Sequence, residues 1–377
     1  MKALPRNVLV VLTSTLVTLV IAEIGVRVVG FPIGARTESL SPWGPRYVPD
    51  SPFVLEDEHY LRGRINNIGF HDRMFAFDIP AGTYRVGFFG DSVTEARQVE
   101  ADSTFTNVFE DLANARGDPV DCAAFGLIGS GADQELFRCL HAMQQARFDE
   151  VVYVFYRNDF LDGFVEKEKP STWPFLKQDA AGAYYFSGVY QPDRSSAGGV
   201  RSGLKSILKD LYLPGFVSYR LSLLKMRQRL QAGWQAAASK DSLNSLFALG
   251  DSLPVAQRQA QTHWKEVVRH WKRACDSNGV RFTILYIPPP TEVEDSTYAA
   301  VPVEHKVPRH GLARWIGSFC DEEGIRFLDP TPALVQAQVG TGRELYWSHL
   351  NYNGHRVLGT FLYEAFRRVR AGSDRQG

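Results

Sequence analysis

Four short segments carry side chains that could do chemistry together. Gly90-Asp91-Ser92 begins at the last residue of the apolar run YRVGFFG (84–90). FGLIGSG follows VDCAAFG (120–126) and holds glycines at 126, 129 and 131. Asn158 and Asp159 follow EVVYVFY (150–156), and His349 stands in YWSHLNYNGH before a closing helical stretch. A hydroxyl, an imidazole and amide N–H donors form the set that acyl transfer needs. An alcohol is a weak nucleophile until a base takes its proton, and a tetrahedral oxyanion needs fixed donors. Taken singly, each segment has a bland use: a helix cap for the serine or asparagine, tight turns for the glycines, a packed or surface histidine. A second Gly-Asp-Ser at 250–252 has no strand before it and reads as a helix stop followed by a cap.

The elements that must position these groups alternate. After the three strands above, helical periodicity marks 102–117 and 133–148, and later QTHWKEVVRHWKRACDSNG, GLARWIGSFCDEEG and NGHRVLGTFLYEAFRRVRA. VRFTILYIP and IRFLDP are the remaining strands. This alternation predicts a three-layer α/β/α sandwich around a central parallel sheet, with ligands at the C-terminal strand ends. All four chemical segments fall there. Residues 160–255 break the rhythm and read as an insertion, with a strand pair in GAYYFSGVY and an amphipathic helix in SYRLSLLKMRQRLQAGWQ. Residues 33–82, rich in Pro, Gly and turn residues, form a lead-in expected to pack on the main domain, 83–371.

Residues 1–32 differ in character. Val8 to Ala22 carries no charge, Lys2 and Arg6 precede it, and the apolar stretch reaches Val29 if Glu23 is tolerated near one end. That is the length of a membrane span. Cations before it place a short tip in the cytoplasm and the body on the exported, periplasmic or extracellular side. A cleaved signal peptide, which also exports the body, and a buried core helix are the alternatives. Elsewhere the composition is that of a globular chain: 44% hydrophobic, with 42 basic and 42 acidic residues. Zero net charge gives no field for nucleic acid. No Cys-x-x-Cys or clustered histidine pattern suggests a metal. Cys122 and Cys139 read as buried residues. Cys275 and Cys320 lie in the parallel segments CDSNGVRF and CDEEGIRF, where equivalent helices could bring them into a disulfide.

In these segments the chain resembles the SGNH, or GDSL, hydrolase superfamily over residues 85–365, interrupted by the insertion. The first motif matches Gly90-Asp91-Ser92, the second-motif glycine Gly129, the Asn Asn158, and the histidine His349 in an HLNxxGH context. NNIGFHD (66–72) also looks like exported members that begin with a membrane segment. The resemblance implies a flavodoxin-like sheet, with Ser92 as nucleophile and His349 as base. The oxyanion donors would be the Ser92 and Gly129 N–H groups and the Asn158 amide. It implies no cofactor and no metal, and an ester substrate such as a small O-acyl group on a cell-envelope glycan. An O-acyltransferase would use the same residues with a sugar hydroxyl as acceptor.

One position departs from the pattern. Members carry an Asp two or three residues before the histidine, where this chain has Trp347 and Tyr346. Glu344, Asp329 and a backbone carbonyl are the candidates to orient the ring. The missing carboxylate also admits an inactive, glycan-binding relative. His355 is expected to pack or cap, and His310 and His59 to lie on the surface. Asp91 should structure its turn, and Asp159 should cap the following segment.

Overall fold

A computed structural model describes residues 6–31, 33–38, 41–56, 58–162, 172–188, 211–221, 224, 255–300 and 309–373. Its centre is a five-stranded, all-parallel sheet of β3 (Tyr84–Gly90), β4 (Val120–Gly126), β5 (Glu150–Phe155), β8 (Arg281–Tyr286) and β9 (Arg326–Leu328). The spatial order is β9-β8-β5-β3-β4. In order along the chain this is 2-1-3-4-5, the flavodoxin-like arrangement. The strand order reverses between β3 and β5, so a crevice opens beyond their carboxyl ends. Ser92 follows β3 and Asn158 follows β5.

The strands are apolar throughout because both faces are covered. One face packs against α4 (Ala132–Gln145), α5 (Val255–Ser277) and α6 (Gly311–Glu323). There Phe89 stacks on Phe125 with ring centroids 4.5 Å apart, and Trp264 and Trp271 fill the layer beside Tyr153. The other face packs against α3 (Phe105–Asn114), α7 (Thr331–Thr341) and α8 (Tyr352–Ser373) through Phe88, Phe105, Phe109, Leu334 and Phe366. Phe88 and Phe89 point to opposite layers, as the two-residue period of a strand requires.

Four details differ from the sequence expectation. The segment 102–117 opens as a 3₁₀ turn, Ala101–Ser103, and becomes α3 only after Thr104. α7 was unforeseen, because TPALVQAQVGT has no amphipathic period. The strand pair near GAYYFSGVY is β7 (Tyr184–Ser187), and its partner is the upstream β6 (Phe175–Gln178). The expected Cys275–Cys320 disulfide is absent. All four cysteines are buried free thiols, and packing of α4 on α5 brings the Cys139 thiol into hydrogen-bonding contact with Cys275. The second Gly-Asp-Ser and most of the expected amphipathic helix lie outside the described residues.

The lead-in reaches the turn that bears Ser92. A hairpin of β1 (Pro52–Leu55) and β2 (Leu61–Arg64) buries Phe53, Leu55 and Leu61 with Tyr47, Ile65 and Leu127. Downstream, His71 bonds the Glu95 carbonyl at 2.8 Å. Asp72 accepts the β4 edge N–H of Ala124 at 2.7 Å and the Asn107 amide at 2.8 Å. Among the described helices, α1 (Arg6–Val29) alone is long and apolar enough to cross a membrane.

Candidate active site

The turn that presents Ser92 depends on two glycines. β3 ends at Gly90, and α2 (Ser92–Glu95) folds back onto the sheet. A β-carbon on Gly90 would collide with the Thr94 hydroxyl, and one on Gly126 with the backbone nitrogen of Glu95. Asp91 caps the short helix, its Oδ1 accepting the Val93 N–H at 2.9 Å. Ala96 ends it in the left-handed region, at φ 50°. Asp91 thus structures the turn and leaves the Ser92 hydroxyl at the rim of an open depression. Glu58, His59, Arg97, Gln98, Ile128 and His349 share that depression.

His349 arrives from a tight loop before α8. A bridge joins Tyr346 to Leu350, and the Trp347 N–H donates to the His349 carbonyl at 2.8 Å. Its Nε2 lies 3.0 Å from Ser92 Oγ, across 257 residues of sequence. Its Nδ1 lies 2.5 Å from Glu58 Oε1. The other Glu58 oxygen accepts the backbone N–H groups of His349 at 2.9 Å and Ser348 at 3.1 Å. With the carboxylate ionised, Nδ1 holds the ring proton and Nε2 is free to accept from the serine. The three groups form one continuous chain: carboxylate, imidazole, hydroxyl.

Glu58 is the residue that sequence reasoning missed. It sits on the turn of the β1–β2 hairpin, 291 positions before the histidine. The three nearer-seeming alternatives do not take this place. Glu344 is exposed. Asp329 is engaged by the Thr331 N–H at 2.9 Å, at the start of α7. No backbone carbonyl is needed where a carboxylate already holds Nδ1. The only local signal was an acidic run, Glu56-Asp57-Glu58, between the apolar segment PFVL and the segment LRGR.

Burial pushes the Glu58 carboxyl up, but hydrogen bonds from His349 and Ser348 outweigh it and hold Glu58 below its ordinary range. Burial likewise lowers His349, but the bond and charge of Glu58, with Asp91 adding, leave its pKa above the usual 6.5. A base works only when neutral, so the acid limb of kcat/KM should lie above that of a free imidazole. In Glu58→Gln the limb should move to lower pH, which a pH–rate profile of both proteins checks. The same pair bears on folding. His349, raised, stabilises fully below its unfolded value near 6.5, and this is lost as pH rises through the folded pKa. Glu58, lowered, contributes above its unfolded value near 4.5. The stability gap to Glu58→Gln should therefore be widest between those two values and shrink on the alkaline side.

Gly129 lies in the β4–α4 loop at φ 72°, beside Ile128, which lines the depression. Only glycine enters this left-handed region without strain. Asn158 follows β5, but its amide nitrogen is engaged twice, by Asp91 Oδ2 at 2.9 Å and Asp162 Oδ2 at 2.7 Å. Its buried Oδ1 has no hydrogen-bond partner. Asp159 turns inward, accepting the Tyr156 N–H and the Tyr153 hydroxyl, both at 3.0 Å. His355 is fully buried, accepts the Phe105 N–H at 3.1 Å and is driven down to about 3 by burial. His310 stands partly exposed at the start of α6. His59 is exposed as well, yet it forms part of the wall around Ser92. No group of three metal-ligating side chains occurs among the described residues.

The chain matches no protein-family model and no curated protein. Among solved structures it is similar to an acetyl xylan esterase, AlAXEase, at 12% identity and TM-score 0.39, over 74% of this chain and 98% of the other. It is similar to a lipolytic G-D-S-L family protein from Veillonella parvula at 11% identity and TM-score 0.39, over 76% and 99%. A GDSL-like lipase from Bacteroides thetaiotaomicron matches at 11% identity and TM-score 0.37, over 78% and 93%. Several of the matching structures are described as GDSL-type proteins.

Chemically, the site offers a hydroxyl within reach of a base and a carboxylate behind that base. Arg97 adds a cation to the lining, its guanidinium paired with Glu95 and lying 5.0 Å from the centre of the Tyr47 ring. Tyr47 in turn donates to Glu95 at 2.8 Å. These bonds tie the lead-in to α2, so the hairpin bearing Glu58 and the turn bearing Ser92 are braced against each other.

Proposed function

We propose that the protein is an SGNH-type serine esterase. The observation that carries this reading is the unbroken line from Glu58 through His349 to Ser92 at the rim of an open depression. Ser92 Oγ attacks the ester carbonyl carbon while its proton passes to His349 Nε2. The tetrahedral oxyanion is held by the N–H groups of Ser92 and Gly129 and by the Asn158 amide, which must first turn one proton away from Asp91 or Asp162. Collapse breaks the bond to the leaving alcohol, which takes the proton from Nε2 and leaves an acyl-serine. Water then attacks this acyl group, its proton moving to Nε2 and from there to Ser92 as the acid departs. Glu58 keeps the tautomer and stabilises the transient imidazolium.

The substrate in this reading is a small O-acyl group on a glycan. α1 serves as a single-pass anchor, with the body on the exported side. Its 24 residues span about 36 Å as a helix, enough for the hydrocarbon core. Glu58 removes the motive for a non-catalytic relative, since the carboxylate that seemed missing is supplied by the hairpin.

A fluorophosphonate should label the protein at one mole per mole on Ser92, and Ser92→Ala should abolish labelling. Absence of labelling in the folded wild type would refute the acyl-serine. Partition of acetyl between water and added sugar then separates esterase from acyltransferase: free acetate as the main product supports hydrolysis, and acetylated acceptor identifies transfer.

A further inference from the structure

Trp347 occupies the position where an orienting carboxylate was expected, and its indole is among the exposed large hydrophobic side chains, at 37% relative exposure. Its ring is not loose. One face stacks on His59, with centroids 5.1 Å apart and planes 20° apart. Tyr352 meets both rings edge-on, at 5.8 and 5.9 Å. The Tyr352 hydroxyl is fixed by Glu100. His59 borders the Ser92 depression, whereas Trp347 and Tyr352 border a second, shallow depression with Arg343, Glu344 and Asn353. The aromatic cluster is therefore the partition between the reacting centre and a neighbouring groove.

We propose that this groove is a glycan subsite, in which a pyranose ring of the acylated substrate packs on Trp347 while the ester reaches Ser92 past His59. The proposal rests on the serine-esterase reading above and adds the place and chemistry of the leaving group. A pre-stacked aromatic ring offers a rigid apolar plane at small entropic cost. The C–H face of a sugar is such a partner. The rim selects against a hydrocarbon chain. Arg343 and Glu344 are exposed and make no ion pair among the described residues, so they are available to hydroxyls. Asn351 is not: its amide donates to the Glu344 carbonyl at 2.9 Å, and its Oδ1 accepts N–H groups at the start of α8. An acyl tail would leave both charges desolvated.

The test uses the full chain with acetylated cellotetraose and 4-nitrophenyl acetate as paired substrates. Trp347→Ala should raise KM for the sugar ester about tenfold, with kcat little changed. 4-Nitrophenyl acetate turnover should stay within about twofold, and Trp347→Phe should recover most of the sugar-ester loss. Equal losses on both substrates would mean that the indole only steadies Glu58, and an unchanged sugar-ester KM would mean that no ring binds there. Either overturns the subsite. Binding is measured separately in Ser92→Ala, by tryptophan fluorescence titration with cellotetraose and chitotetraose. Saturable quenching that Trp347→Ala removes supports the groove even if the wild type hydrolyses nothing and resists fluorophosphonate, an outcome that sinks the esterase reading alone. No saturable change with either oligosaccharide overturns the subsite while leaving Ser92 chemistry untouched.

Discussion

Glu58→Ala is expected to lower kcat on 4-nitrophenyl acetate by about 10³–10⁴-fold while the protein stays folded. The carboxylate makes three bonds to the histidine loop: one to Nδ1 and two to backbone N–H groups of Ser348 and His349. Its removal frees the ring to rotate, allows the wrong tautomer and leaves the imidazolium unsupported. Glu58→Gln retains shape and can still accept a hydrogen bond, so its loss should be smaller but well above tenfold. Glu344→Ala is the control drawn from the sequence, and it should leave kcat within about twofold, because its exposed side chain lies on the far side of the Trp347 partition. If Glu58→Ala keeps near wild-type turnover, the hairpin carboxylate is not the orienting group and the assignment fails. Circular dichroism and Tm on each variant separate a chemical loss from unfolding.

Removal of the hydroxyl or the imidazole should cost about as much. Ser92→Ala and His349→Ala are each expected to reduce kcat by about 10³-fold or more, and the double variant should be no slower than the worse single one. The reason is that the two act as a unit: a base with no hydroxyl to deprotonate contributes nothing, and the hydroxyl is inert without the base. Multiplicative losses in the double variant would mean separate roles, contrary to a 3.0 Å Oγ–Nε2 contact. Neither side chain carries much of the core. Ser92 and His349 are both partly exposed, so Tm should change little on the alkaline side, where the Glu58–His349 pair adds less than between its two unfolded values.

The Glu58 result bears on how an active site divides between chain and fold. The strand-turn signals at Gly90-Asp91-Ser92 and Gly126–Gly131, and the Asn and His segments, are local. The first three depend on a strand ending and on residues within a few positions of that end, and the His segment on the loop just before the closing helix. Such features are written in residue type and spacing, and the alternation of strands and helices places their ends along one rim. The apolar span of α1 is local in the same way, being a matter of length and composition.

What tertiary structure alone decided is which distant groups meet. Glu58 reaches His349 because Phe53, Leu55 and Leu61 bury the hairpin beside Leu127, with nothing in the spacing of residues 58 and 349 to announce it. The same reason places Cys139, on a neighbouring helix, beside Cys275, and turns the Asn158 amide toward Asp91. Sequence pattern records the short-range demands of backbone and burial. Partnership across hundreds of residues is settled only when packed layers fix where each loop points.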